Sequence, residues 1–251
     1  MFRKYEERLV GVLGLKGHPI AVSYTMAPAK EAIQTKFWVC EAISKAREGR
    51  EVVLTERSSA CMAGAWQLGL TRAPTGEDYK ALARFLVEGE KLCASYAAMF
   101  RMHSLCTPAP FGMGDCVIIR PLQRATAAPD AVVFVVNPEQ ASRILTLATF
   151  ETGVPPRIEM FGPTCHQVIG YPVATGQINV TVMDITTRKQ YRPDELFVTI
   201  PGNLLPSVIT AIEKSTAGIA PFEVPAGLTR NNLPTWDYSK PIRAKPKARR
   251  K

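Results

Sequence analysis

The sequence predicts an α/β or α+β fold, a mixed sheet with flanking helices built as two related α/β halves in one body over residues 1–217, with an irregular basic segment at 218–251. Three observations carry this expectation. Helical and strand periods of apolar residues alternate along the chain. The run Ala131–Val136, AVVFVV, is the pattern of a strand buried on both faces. With 46% hydrophobic and 21% charged residues, 251 residues supply the material for a sizeable core.

The elements follow in order. Tyr5, Leu9, Val12 and Leu13 fall at helical spacing between charges, so 2–15 reads as an amphipathic helix. Residues 19–24 read as a short apolar strand, 37–47 as a helix stopped by Gly49, and 51–55 as a strand. After Ser58 and Ser59, a short helix of small residues opens at Cys61 and ends at Gly69. Residues 76–102 hold two helices around Gly89, and 106–114, rich in Pro and Gly, form a loop. Strands follow at 116–122 and 131–136. Asn137 then caps, and Pro138 opens, a helix to about Thr152. A strand at 157–160, a short helix at 163–170, strands at 178–183 and 195–200, and a helix at 203–215 complete the body. The order strand, helix, strand, cysteine-opened helix occurs twice, with Cys61 and then Cys165, which suggests two related halves.

The net charge of +9 is concentrated at one end. Lys240, Arg243, Lys245, Lys247, Arg249, Arg250 and Lys251 fall in the last twelve residues without an acid. Setting those seven aside leaves 24 basic residues against 22 acidic ones, so the body has no fold-wide basic face for nucleic acid. The segment 240–251 is expected to be extended, with weak, non-specific contact to nucleic acid or another anionic surface as its candidate role. No apolar export signal opens the chain, and the six cysteines form no C-x₂-C pair, which points to reduced thiols in the cytoplasm. The uncharged stretch 160–183 contains Gly162, Pro163, His166, Gly170 and Pro172 and is read as soluble interior rather than a membrane span.

Two groups of residues carry a family resemblance. One is Cys40-Glu-Ala-Ile-Ser-Lys-Ala-Arg-Glu-Gly49 followed by Ser59-Ala-Cys61-Met-Ala-Gly64-Ala65 and Leu68-Gly69-Leu70. The other is Pro129-Asp130, Asn137-Pro138-Glu-Gln140-Ala141, Phe161-Gly162, Cys165, Arg188, Glu195-Leu and Ile200-Pro201. Together, over roughly 5–215, they resemble the bacterial and archaeal family called domain of unknown function 169. The resemblance implies a prokaryotic, cytoplasmic, single-body protein of unassigned activity, with Cys40, Cys61 and Cys165 at recurrent cysteine positions. It also implies a further cysteine pair before Arg188 in some members. Here that stretch reads Met183-Asp184-Ile185-Thr186-Thr187, so a cluster needing four or five thiolates lacks its donors.

Thiolates bind soft metals and act as nucleophiles where a helix N-terminus lowers their pKa. Cys61 and Cys165 are expected at such positions among small residues including Gly64, with Cys40 a third candidate. The candidate ligands are a metal or an iron–sulfur cluster, and next a thiol-reactive or tetrapyrrole-like organic molecule. His166 could join such a site, although its side chain points about 100° from that of Cys165 on a helix. Arg188 either pairs with Asp184 or faces an anionic ligand. The competing reading makes these cysteines small core residues of a non-enzymatic effector-binding or interaction protein, as Cys93, Cys106 and Cys116 are read here. No established catalytic template is present, so the sequence leaves open whether the protein is an enzyme.

Overall fold

Side-chain caps from Cys61, Ser95, Asn137 and Asp184 start four of the helices in the computed structural model, which describes residues 1–26, 36–160 and 162–221. Along the chain run α1 (Phe2–Leu13), β1 (Ile20–Thr25), α2 (Val39–Arg47), β2 (Val52–Thr55), α3 (Met62–Gln67), α4 (Gly76–Arg84) with a π-turn at Phe85–Gly89, and α5 (Tyr96–Ser104). Then come β3 (Cys116–Pro121), β4 (Ala131–Val136), α6 (Pro138–Thr149), a π-turn at His166–Gly170, α7 (Tyr171–Thr175), β5 (Asn179–Thr181), α8 (Ile185–Arg188), β6 (Leu196–Pro201) and α9 (Leu205–Lys214). The expected cap of α6 forms as a reciprocal box: Asn137 Oδ1 accepts from the Gln140 N–H at 2.9 Å, and Gln140 Oε1 accepts from the Asn137 N–H at 3.0 Å.

The strands form one open sheet in the order β2-β3-β1-β4-β6-β5. Every ladder is antiparallel, which corrects the mixed sheet expected from strand–helix alternation. The reason lies in the connections. β1 and β2 point the same way, joined through α2, but β3 is inserted antiparallel between them; β6 is likewise inserted between β4 and β5. Each half places its first strand innermost, its second at the edge and its third between, so the strand order is symmetric about the β1–β4 pair.

β4 is buried along its whole length, as its sequence requires, and its alternate residues feed two cores. Ala131, Val133 and Val135 pack with Ile43, Ala65, Val168 and Ile169 on the face covered by α2, α3 and the second π-turn. Val132, Phe134 and Val136 pack with Leu9, Ile144 and Ile212 on the face covered by α1, α6 and α9. A satellite cluster of Ala63, Leu82, Leu86 and Met99 lies where α4 and α5 meet α3.

One expected strand is absent. Residues 157–160 form no strand; the Asn179 side chain bridges to Glu159 N and O at 3.0 and 3.1 Å and takes the place of a ladder. Residues 185–188 are helical, capped by Asp184 Oδ1, which accepts from the Thr187 N–H at 2.8 Å. The compact unit runs to Ala220, because Arg143 donates to the carbonyls of Ala217 and Gly218 and the Ile219 N–H donates to Ile212 O. The basic segment 240–251 lies outside the described residues. Among those residues no helix is long and apolar enough to cross a membrane, and stretch 160–183 is spent on the second π-turn, α7 and β5.

Candidate functional site

A cavity of about 560 Å³ opens between α2, α3, α4 with its π-turn, and α8. It brings Cys40, Cys61, Gly64 and Cys165 to one wall, although 125 residues separate the first cysteine from the last. Apolar side chains make most of the remainder, chiefly Val39, Leu82, Phe85 and Leu86. Met62, Phe85, Leu92 and Ile185 line it while remaining 37–65% exposed, so the rim is apolar as well.

Local structure places each thiol. The Phe37 N–H donates to Ser58 O and the Ala60 N–H to Phe37 O, at 3.1 and 2.8 Å, which lays the start of α2 beside the start of α3. Cys61 is the cap of α3: its Sγ accepts from the Gly64 N–H at 3.3 Å. Gly64 has no room for a side chain, since a Cβ there would meet Val39 Cγ2 at 2.8 Å. Cys40 sits in the first turn of α2, where Gln190 Nε2 approaches its sulfur at 3.7 Å and the Tyr191 hydroxyl donates to its carbonyl at 2.8 Å. Cys165 packs against the sheet core directly before the second π-turn.

The expectation of lowered thiol pKa values at helix starts is reversed. Desolvation pushes Cys40 up to about 11, against hydrogen bonds from Thr187 and the Glu41 backbone. Desolvation also raises Cys61, outweighing the Gly64 and Ala63 amides, with Glu90 and Asp184 adding to the rise. Cys165 is raised most strongly by its burial, then by the neighbouring Cys61 and by Asp184. Removing a thiolate from water here costs more than the one or two hydrogen bonds at each sulfur return, so the thiols stand protonated at neutral pH.

Two sequence candidates point elsewhere. His166 is fully buried outside the cavity lining, and its Nε2 accepts from the Thr107 N–H at 2.9 Å. Arg188 makes no ion pair with Asp184; its guanidinium donates to the carbonyls of Val182, Arg192, Pro193 and Glu195 and fastens the chain on both sides of α8. The expected metal set of Cys40, Cys61, Cys165 and His166 is therefore not assembled. Among the described residues no three His, Cys, Asp or Glu donors are placed to hold a metal ion.

Residues 8–211 match the family model of domain of unknown function 169, described as uncharacterised ArCR. The chain belongs to that family. No curated protein and no solved structure matches it. Asp184, Ile185, Thr186 and Thr187, directly before Arg188, also line the cavity.

Sequence reasoning missed Trp38, Phe85 and Glu90, and singled out Asp184 only as a partner for Arg188 and not as cavity lining. Asp184 carried a readable signal, an Asx residue three before the Thr187 N–H that it caps. The other three reach the cavity only through packing of α2, α4 and the π-turn, which no local pattern announces.

Proposed function

We propose that this protein binds a small, mainly apolar organic molecule in the cavity, with Cys40, Cys61 and Cys165 as protonated, polarizable contacts. The observation that carries the reading is the convergence of three cysteines on one apolar cavity with an apolar rim. Its volume falls in the roughly 300–1,000 Å³ range of small-molecule sites. An organic ligand is favoured over a metal or iron–sulfur centre because no three His, Cys, Asp or Glu donors among the described residues are placed to hold a metal ion. The six free cysteines support a reducing compartment.

The test uses a neutral apolar fluorophore, N-phenyl-1-naphthylamine. Saturable one-to-one enhancement is expected, and Ala81→Trp, an exposed position on the cavity wall, should weaken it at least tenfold without unfolding the protein. Absence of saturable binding, or binding indifferent to Ala81→Trp, would count against the reading.

A further inference from the structure

We infer that the molecule the cavity selects is an apolar organic cation, such as an aromatic or alkyl ammonium compound. This rests on the proposed small-molecule reading and concerns the charge of the ligand. The cavity's two charged lining residues are both acids, Glu90 and Asp184; no Lys, Arg or His lines it among the described residues. Neither acid is neutralised by an ion pair among those residues. Asp184 accepts only from neutral donors: the Thr164 N–H at 3.0 Å, the Thr164 hydroxyl at 2.7 Å and the Thr187 N–H at 2.8 Å. The cation nearest Asp184 in sequence, Arg188, is spent on backbone carbonyls, and Lys91, which follows Glu90, does not line the cavity.

The negative field reaches the thiol wall. Asp184 raises the pKa of all three cavity cysteines, and Glu90 joins it at Cys61. An anion entering this space meets two carboxylates with no compensating charge, whereas a cation is paired on entry and its apolar body covers the walls. Trp38 and Phe85 line the same cavity, their ring centroids 6.3 Å apart and their planes tilted by 51°, and an ammonium group gains where it meets the face of such a ring.

The test compares three naphthalenes of similar size by calorimetry on the full chain: (2-naphthylmethyl)trimethylammonium, 2-naphthylmethanol and 2-naphthalenesulfonate. The cation should bind at least tenfold tighter than the alcohol, and the sulfonate more weakly than the alcohol. Glu90→Gln should cut the preference for the cation at least threefold while leaving alcohol binding within twofold. Asp184→Asn should do the same, and Glu90→Gln decides the matter if loss of the α8 cap unfolds that variant. If alcohol and cation bind equally, and Ala81→Trp weakens both, the charge inference is overturned while the small-molecule reading stands. If none of the three binds, or Ala81→Trp changes nothing, both fall.

Discussion

Alkylation of Cys40 tests the electrostatics of the cavity directly. Its pKa of about 11 lies two units above the value of 9.0 for an unperturbed thiol, so at pH 7.5 the thiolate population falls about 100-fold. Iodoacetamide reacts with the thiolate, and the native protein should therefore label at Cys40 at least 100-fold more slowly than the urea-unfolded chain. Peptide mass spectrometry over a time course gives both rates. Steric shielding would also slow labelling, and pH separates the two causes. The ordinary thiol of the unfolded chain levels off near pH 9, whereas native Cys40 should still gain close to tenfold per unit between pH 8 and 9.5. A native rate equal to the unfolded one, or one that levels off at pH 9, would refute the claim that desolvation governs this thiol. The linkage has a definite sign. A thiol whose folded pKa is raised contributes stability in full below its unfolded pKa, and that contribution is lost as pH rises toward the folded value, so the protein should weaken above about pH 9.

The remaining predictions concern the supports of the site. Glu195 is buried, yet its carboxyl stays below the usual range: burial pushes it up, and the hydrogen bonds from Arg47 and the Arg192 N–H more than offset this. Glu195→Gln should cost about 3 kcal/mol in urea unfolding at pH 7, and because the folded pKa is lowered, the gap should close as pH falls below about 4.5 through the folded value; equal stability at pH 7 would remove the argument. Gly64→Ala should cost roughly 1–3 kcal/mol, because its Cβ would press on Val39 Cγ2. Val39→Ala in the same chain should then recover part of the loss, and no recovery would show that the contact is not the cause.

What the sequence made legible was local. The uninterrupted apolar run of β4, the Asn137 and Pro138 start of α6 and the period of α9 each state their structure within one element. Cys61 is legible as a helix start, but its protonation depends on what covers it, and it packs against a cluster that includes Leu82 and Leu86, more than twenty residues downstream. A helix N-terminus favours thiolate only while the site stays wet; closing it with apolar side chains reverses the balance. Arg188 is identifiable from sequence as a special residue and not as a carbonyl clamp, since its acceptors, Val182 before α8 and Arg192, Pro193 and Glu195 after it, are brought together only by the fold of the segment.

The symmetry of the sheet explains why the cavity draws on both halves. The sequence echo aligned Cys61 with Cys165, yet the connections align them differently. Cys40 and Cys165 both lie between the first and second strands of their halves, whereas Cys61 and Asp184 both follow the second strand. Cys61 and Asp184 also do the same local work, each capping the next helix by accepting from the N–H three residues on. Both caps, and both cysteines of the other pair, line the one cavity. The halves diverge in what comes next: after Cys61 the chain inserts α4, its π-turn and α5 before the third strand, whereas after Asp184 it has only the four residues of α8. The longer insert supplies Leu82, Phe85, Leu86 and Glu90, and so closes over a wall that the paired connections had already set. The equivalence also places an acid in one half where the other has a thiol, which gives the cavity its negative side without a fourth cysteine.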